Sequence, residues 1–251
     1  MKSKQSGFTL IEIAIVLVII GLLLGGVLKG QELINSAKVK NLATDFKNIP
    51  VYIYGYQDKF RALPGDDANV QAHLGSSTLT IAPATTPTKD LSGNTCVPPS
   101  SPVGAAGCVG NGVLDGAWNS VTTTDETYLF WQQVRYANLA PGSTDPTVVA
   151  TYVPTNAVGG ILGVQSGTGN VVTTPITDLS ATPAAIRGSY IVCSSGILGK
   201  FVTQLDIQMD DGNTATGSMM AGKATAAGTA MTAVATANID PAATYTVCMG
   251  I

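Results

Sequence analysis

A short N-terminal stretch contains the residues whose types and spacing predict the most specific chemistry. Glu12 is the only charged residue between Phe8 and Leu28, in a segment made otherwise almost entirely of Ile, Leu, Val, Ala and Gly. A carboxylate in an apolar helix costs about 2.5–3.5 kcal/mol on membrane-insertion scales, so it normally has a partner. A cut after Gly7 would create an α-ammonium group on Phe8, and in an assembly this group could neutralise Glu12 of a neighbouring subunit. The alternative is that Glu12 extends to the cytoplasmic interface of an ordinary signal anchor.

Four cysteines form the second group with defined chemistry, and all lie in the part of the chain that we expect to be exported. In an oxidising compartment an even number of cysteines predicts disulfides, and four cysteines allow three pairings. We expect Cys96–Cys108, which would close a short loop containing Pro and Gly. We also expect Cys193–Cys248, because the segments that end at these two cysteines are similar and β-prone. Free thiols or a metal site are the alternatives, and the spacing is wrong for zinc.

The remaining composition argues against catalysis and against nucleic-acid binding. His73 is the sole histidine, no Ser–His–Asp set is evident, and no Gly-rich phosphate loop follows a strand. We therefore predict that the chain is not an enzyme, and we interpret His73 as a surface or packing residue. Charged residues make up 12% of the chain and form no basic block, so we expect no nucleic-acid partner.

The apolar segment predicts how the chain is placed in a membrane. From Phe8 to Leu28 it has about 20 residues, enough to span a hydrocarbon core of roughly 30 Å as a helix. Two lysines precede it and the bulk of the chain follows it, so the positive-inside rule keeps the N-terminus in the cytoplasm and exports the rest. We expect a leader at 1–7 and a single transmembrane helix at 8–28. Loss of the leader removes both lysines and takes the formal charge from −3 to −5.

Beyond the apolar segment the helical pattern continues over residues 29–61 and becomes amphipathic. One continuous helix from Phe8 to about Tyr56 would be roughly 70 Å long at 1.5 Å per residue. Pro50 falls within the pattern and is expected to kink or interrupt the helix. Apolar residues recur at spacings of three and four, which places them on one helical face: Val39, Leu42, Phe46, Ile49, Ile53, Tyr56 and Phe60.

Residues 62–251 predict an α+β head with an antiparallel sheet that lies on the second half of the long helix. A second helix is expected after Thr124, which can cap it, and its aromatic residues are interpreted as core. Residues 198–209 have helical spacing, whereas 110–116 and 214–238 are interpreted as a turn and a variable surface loop. Short β-prone runs predict the strands, at 147–153, 160–165, 184–192 and 245–249.

The N-terminal residues resemble the class III leader of type IV prepilins and type II secretion pseudopilins. The resemblance covers a short basic leader, an apolar run to Leu28, and between them the sequence Gly7-Phe8-Thr9-Leu10-Ile11-Glu12. It implies cleavage after Gly7 by a prepilin peptidase, N-methylation of Phe8, and Glu12 as the assembly glutamate that pairs with the Phe8 amine of a neighbour. Many pilins have a proline late in the apolar run, where this chain has glycines that soften the helix or allow close helix packing.

Two further stretches are similar to segments of prepilin-like proteins. Residues 56–66 resemble a stretch found after the long helix in many of them, and 205–212 resemble a C-terminal motif of their heads. Some pseudopilins bind calcium through acidic residues in C-terminal loops. The resemblance therefore implies a calcium site at Asp206, Asp210 and Asp211, and a solvated turn is the alternative. We expect no other cofactor.

The sequence is thus identified as that of a type IV pilin-like subunit. We expect an inner-membrane precursor that enters a helical filament with copies of itself or related pilins, through a pilus assembly platform. A cell-surface pilus and a periplasmic pseudopilus are both open, so a major pilin, a minor pilin and a secretion or DNA-uptake pseudopilin remain alternatives. The hypothesis from another class is an exported binding module tethered by a signal anchor.

Overall fold

The chain has the α+β architecture that the sequence predicts. The structure, a computed structural model, describes residues 10–75, 110, 112–123, 125–167, 174–180, 182, 184–223 and 230–251. A long N-terminal helix is followed by a head that contains a four-stranded antiparallel sheet. The expected segment boundaries after residues 7, 28 and 61 stay predictions.

Helix α1 (Leu10–Phe60) joins the apolar segment to the head without a break. It continues through Pro50, so of the two outcomes expected there, a kink or an interruption, the interruption is wrong. Burial of Ile49 and Ile53 on either side explains the continuity, since tertiary packing holds the helix despite one lost backbone hydrogen bond. Its C-terminal half buries one face at the predicted spacing: Val39, Leu42, Ala43, Phe46, Ile49, Ile53 and Tyr56.

The described part of the head contains four short α-helices, one 3₁₀ turn and six strands. The helices are α2 (Val70–Leu74), α3 (Glu126–Tyr136), α4 (Val149–Tyr152) and α5 (Gly199–Met209), and the 3₁₀ turn is Thr236–Asn238. The strands are β1 (Leu162–Ser166), β2 (Ile176–Thr177), β3 (Tyr190–Leu198), β4 (Met219–Gly222), β5 (Met231–Thr232) and β6 (Thr244–Gly250). The main sheet has the order β1-β3-β6-β4 with every neighbouring pair antiparallel, while β2 and β5 pair in parallel.

Alternating side chains of the sheet enter two separate cores. On one face, Val192 of β3 and Val247 of β6 join the cluster that holds the buried stripe of α1 and Phe201 of α5. On the other face, Ile191 of β3 packs in a smaller cluster with Trp118. The first core fixes α1 to the head, with the sheet and α5 together covering its buried stripe.

The stretch 147–153 contains the short helix α4 at Val149–Tyr152 and not the predicted strand. Tyr152 is fully buried, and its hydroxyl donates a hydrogen bond to the carbonyl oxygen of Tyr128 at 2.6 Å. The centroids of the two rings are 4.5 Å apart. Because β propensity depends on packing context, anchoring one aromatic residue in the core overrides the local preference of the segment.

Residues 214–238, expected to be a variable surface loop, include several buried residues in their described part. They contain β4 and β5, and Thr214, Met219 and Met231 are at most 3% exposed. A Cβ added to Gly222 would lie 3.0 Å from the Cβ of Met231. Gly222 therefore permits close packing of β4 against β5, and the expectation of a loop is wrong for these two strands.

The other predicted elements fall close to their expected positions. The helix at 198–209 and the strands at 160–165 and 245–249 are confirmed as α5, β1 and β6, while the strand expected at 184–192 begins only at Tyr190. Asp125 occupies the N-cap position of α3, and Thr124, the expected cap, lies outside the described residues. Tyr128, Phe130 and Trp131 of α3 are buried, which confirms their interpretation as core.

Candidate functional site

The N-terminal half of α1 presents a long apolar surface in the single chain. Its large apolar residues from Leu10 to Ile34 are between 46% and 92% exposed. The most apolar part has a mean hydropathy of 2.8 and no buried residue, and by length and composition the helix can cross a membrane. Glu12 lies in the first turn of α1 and is exposed. The predicted processing residues Gly7 and Phe8 lie outside the described residues.

Cys193 and Cys248 form a disulfide, which confirms one of the two predicted pairs. The two residues are directly opposed on β3 and β6, with their Cα atoms 4.0 Å apart, and both are fully buried. The two cysteines are 55 residues apart in sequence. A disulfide that closes such a loop stabilises a protein by about 2–4 kcal/mol, mainly by constraining the unfolded chain. Cys96 and Cys108 lie outside the described residues, so their pairing stays a prediction.

The structure brings Asp206, Asp210 and Asp211 together at the C-terminal end of α5. One ligand oxygen of each carboxylate lies within 4.8 Å of the others. Asp206 is 1% exposed, and its Oδ1 accepts a hydrogen bond from the N–H of Gly212 at 2.7 Å, while its Oδ2 has no hydrogen-bond partner. Burial raises the pKa of Asp206 to about 6. A cation here would offset both the desolvation and the mutual repulsion of the three carboxylates. A solvated turn describes the exposed Asp211 and does not describe Asp206.

A hydrogen-bond network at the end of α1 is a feature that the sequence does not predict. The hydroxyl of Tyr56 donates to Oδ2 of Asp67 at 2.7 Å, and Nδ1 of His73 lies 2.7 Å from the same oxygen. The N–H of Asn69 donates to the other oxygen at 2.9 Å, and the His73 ring stacks on Phe60. Burial and the neighbouring carboxylate raise the pKa of Tyr56, so its hydroxyl keeps its proton. His73 is therefore a half-buried partner of Asp67 that helps to fix the end of the helix.

Gly65 locks this network to the start of α3. Its φ is +94°, and an added Cβ would lie 2.5 Å from the carbonyl oxygen of Glu126, so only glycine fits. Its N–H donates to Oε1 of Gln133 at 2.6 Å. The neighbouring segment 110–116 forms the predicted turn in its described part, where three glycines have φ between +82° and +113°. The resemblance at residues 56–66 is the sequence signal that marks this junction.

Four buried carboxylates, each at most 3% exposed, accumulate at the junction: Asp66, Asp67, Asp115 and Glu126. Asp66 accepts hydrogen bonds from the N–H groups of Gly110 and Gly112. Oε2 of Glu126 accepts one from the N–H of Asp115 at 2.9 Å. Burial, and after it the negative charge of Asp66, holds the pKa of Glu126 well above its ordinary range. We refer to Asp66, Asp115 and Glu126 as the junction cluster.

Arg135 shows a different way of burying a charge. Its guanidinium group donates to the carbonyl oxygens of Pro141, Ser143 and Tyr152, and its Cζ atom lies 5.6 Å from the centroid of the Trp131 ring. Burial lowers its pKa, yet an arginine remains a cation in proteins. Its five fixed N–H donors can bind several carbonyl groups at once, so Arg135 stabilises the segment that follows α3.

Comparison with protein families identifies the N-terminus. The family model described as "Prokaryotic N-terminal methylation motif" matches residues 2–28. This motif is the class III signal of type IV pilins and pseudopilins, so the resemblance seen in the N-terminal residues is confirmed. No curated protein and no solved structure matches the chain.

Proposed function

We propose that this chain, whose class III signal is that of a type IV pilin-like or pseudopilin precursor, is a structural subunit of a type IV pilus-like filament. It is processed after Gly7, methylated at Phe8 and polymerised through α1. The observation that carries the proposal is this signal on a helix whose apolar half is uncovered by the described residues of the chain. The same signal and helix fit a precursor anchored in the inner membrane.

The apolar half of α1 supports the proposal because other apolar helices can replace the lipid around it. Before assembly lipid covers this surface, and afterwards the apolar helices of neighbouring subunits replace lipid, so little hydrophobic free energy opposes the transfer. Gly21, Gly25, Gly26 and Gly30 each have nothing within 4 Å of an added Cβ. Their spacing of four residues within each of two pairs leaves room for another helix to approach closely.

Glu12 would set the axial register of the filament. In the apolar filament core, its carboxylate and the α-ammonium group of a neighbour's Phe8 attract strongly because the dielectric constant is low. Each charge would otherwise be buried without a partner, so a subunit shifted along the axis is disfavoured. Prepilin peptidase, the assembly platform and other pilin subunits are the partners that this proposal requires.

A calcium ion at Asp206, Asp210 and Asp211 belongs to the same proposal. Oδ2 of Asp210 accepts a hydrogen bond from the N–H of Met219 at 2.9 Å, so the cluster already links the end of α5 to β4. Calcium should raise the melting temperature of the full chain, and Asp206→Asn should reduce that increase. An unchanged calcium effect in Asp206→Asn, with Asp58→Asn as the exposed control, would contradict this site.

The proposed role is structural and includes no catalytic step. The sole histidine, His73, is engaged with Asp67 and Phe60 at the end of α1. An exported binding module on a signal anchor would need the same anchor but no cleavage at Gly7 and no role for Glu12. Measurements of processing and assembly therefore distinguish a filament subunit from an anchored binding module.

The test is the intact mass and N-terminal sequence of the protein in sheared surface fibres. We expect a chain that begins at methylated Phe8, with four hydrogens fewer for two disulfides. Gly7→Asp should block processing, and Gly25→Ala, a glycine change in the same region, should not. A chain found only in membranes and beginning at Met1 would refute the proposal. The abundance of the protein in the fibres distinguishes a major pilin from a minor pilin or a pseudopilin.

A further inference from the structure

The face of α1 opposite its buried stripe carries a patch of exposed apolar and basic side chains. Lys47, Val51 and Tyr54 follow one another at spacings of four and three, so they lie on one side of the helix. Val51 is 63% exposed and Tyr54 is 57% exposed, and Lys47 is also exposed. We call these three residues the helix patch. An exposed tyrosine beside an apolar residue is typical of protein interfaces, in which aromatic residues are enriched.

The helix patch lies far along α1 from the apolar half that a membrane would surround. Val51 follows Ile34, the last exposed large apolar residue of that half, by 17 positions of continuous helix. At 1.5 Å per residue, Val51 is therefore about 25 Å farther along the helix axis. Exposed charges are largely screened beyond roughly 8 Å at physiological ionic strength. A protein surface is thus a better partner for the helix patch than a lipid surface.

The charges of α1 and of the head are opposite in sign. Residues 29–61 include six basic and three acidic residues, whereas 62–251 include five basic and twelve acidic residues. Between residues 35 and 61 the exposed charged side chains are five basic and one acidic: Lys38, Lys40, Lys47, Lys59, Arg61 and Asp58. A basic surface of this kind attracts an acidic one, and the head of a second copy of this chain is acidic.

The head has an exposed patch of acidic and apolar side chains at the start of α4. Asp145 is exposed, and Val148 and Val149 are 46% and 40% exposed. We call these three residues the head patch. Hydrogen bonds from the hydroxyl and the N–H of Thr147, at 2.7 and 2.9 Å, hold the pKa of Asp145 below its ordinary value. Its carboxylate is therefore ionised at neutral pH, and residues 136–186 contain no lysine or arginine.

We propose that the helix patch of one copy of this chain binds the head patch of a second copy. Lys47 would pair with Asp145, while Val51 and Tyr54 would cover the two valines. Within the described part of the chain neither Lys47 nor Asp145 belongs to an ion pair, so both charges are available to a second copy. Both patches are exposed in the single chain, and they complement each other in charge and in apolar character.

A contact between two different patches is heterologous, so a pair of copies keeps one free patch of each kind. Further copies can bind these free patches, and the same contact then repeats along a helical filament. The contact rests on the proposed filament function, because assembly brings the head of a second copy to α1. Pairing of Glu12 with Phe8 would fix the apolar halves, while this contact would fix the head of one subunit against the helix of the next.

Charge exchange tests the contact in sheared fibres. Lys47→Glu and Asp145→Lys should each reduce filament yield by about fivefold or more, because each brings like charges together. Both changes in one chain exchange the charges and should restore about half of the wild-type yield or more. Lys47→Glu with Asp240→Lys is the matched control and should stay low. Asp240 is also exposed, and its Oδ1 accepts the N–H of Ala242 at 2.9 Å, as Asp145 accepts that of Thr147.

Disulfide trapping gives a second measurement of the same contact. Chains with Val51→Cys and chains with Val148→Cys, assembled into the same fibres, should form a cross-linked dimer on oxidation because the two residues would be in contact. In the control, chains with Val121→Cys replace those with Val148→Cys and should give no dimer. Val121 is a suitable control because it is a 56% exposed valine outside the head patch.

The outcomes distinguish the contact from the filament function. If wild-type fibres form, failure of the charge exchange to restore yield, or absence of the cross-link, would overturn the contact and leave the filament function standing. A wild-type chain that forms no fibres would overturn the filament function and, with it, the contact. Near-ultraviolet circular dichroism of each variant in detergent reports whether the head is folded.

A second variant covers the case in which Asp145→Lys does not fold. Asp145→Asn removes the charge and keeps a side-chain oxygen that can accept the hydrogen bonds from Thr147. This variant should also lower filament yield, because the pairing with Lys47 is lost. An unchanged yield from a folded Asp145→Asn chain would count against the contact.

Discussion

The two halves of α1 are both rich in apolar residues but lie in opposite environments. In the N-terminal half the large apolar residues are at least 46% exposed, whereas Phe46, Ile49 and Ile53 of the C-terminal half are fully buried. The difference lies in periodicity: the first half is apolar on all sides, and the second confines its apolar residues to one stripe. A stripe needs one partner, which the head supplies, while an all-round apolar helix must be covered by lipid or by other chains.

This difference means that the head and the C-terminal half form one packed unit while the N-terminal half can change its surroundings. In the proposed filament, neighbouring subunits would replace lipid around residues 10–34 without disturbing the core that holds Phe46. If the separation is real, substitutions in the two halves should affect two different measurements. Head stability should respond only to the C-terminal half, and assembly should respond to the N-terminal half.

The largest effect is expected from Phe46→Ala. Removing a fully buried phenylalanine should lower the free energy of unfolding by about 3–5 kcal/mol. Denaturant unfolding of the full chain in detergent, followed by near-ultraviolet circular dichroism, measures the change. Leu22→Ala, at a 74% exposed position of the same helix, is the control and should stay within about 0.5 kcal/mol. Similar losses for the two variants would break the distinction between the halves.

Replacing Cys193 and Cys248 together by serine should have the next largest effect on the stability of the head. Loss of this disulfide is expected to cost about 2–5 kcal/mol of head stability, since the unfolded chain regains the freedom of a large loop. The same unfolding assay measures the loss, and a reducing agent should cause at least as large a loss in the unmodified chain, since it would also open the predicted Cys96–Cys108 bond. Helicity of the apolar half should not change, and a fall in it would show that the two halves are coupled.

Gly65→Ala tests the junction at the end of the C-terminal half. Alanine at φ +94°, with its Cβ 2.5 Å from the carbonyl oxygen of Glu126, should destabilise the head by about 2–3 kcal/mol. Gly75→Ala is the matched control because Gly75 has φ +74° and nothing within 4 Å of an added Cβ. It should cost only the backbone strain, about 1 kcal/mol. Equal losses would mean that the close contact with α3 contributes nothing.

Glu12→Ala should have the smallest effect on stability and a large one on assembly. Glu12 lies far along α1 from the buried stripe, so head unfolding should change by less than about 0.5 kcal/mol. Filament yield in sheared preparations should fall to near zero because the axial pairing with Phe8 is lost. A wild-type filament yield from Glu12→Ala would show that Glu12 does not set the register. Normal processing of this variant after Gly7 is the control.

The elements with strong periodicity could be predicted from the sequence. The α1 stripe and α5 follow from apolar spacings of three and four, and the two strands that contain Cys193 and Cys248 follow from their β-branched content. The error at 147–153 arose because Tyr152 is anchored by Tyr128, a contact that local propensity does not contain. At 214–238 small residues resemble a loop in composition, although they pack two strands closely.

The candidate sites also differ in how far the sequence predicts them. Glu12 and the α5 aspartates stand out in the sequence because charge is rare in an apolar run and because three carboxylates fall within six residues. The junction cluster is hidden, since Asp66 and Glu126 are 60 positions apart and meet only through the fold. His73 likewise has a role only because Asp67 and Phe60 converge on it.

The bond between β3 and β6 also determines how the head would respond to mechanical tension. A pulling force that enters through α1 reaches a sheet whose C-terminal strand lies between β3 and β4. Cys193 and Cys248 are 55 residues apart in sequence, a stretch that could extend by roughly 180–200 Å if the strands separated. The covalent link removes this hidden length, so the stretch between the two cysteines cannot lengthen when the subunit is under load.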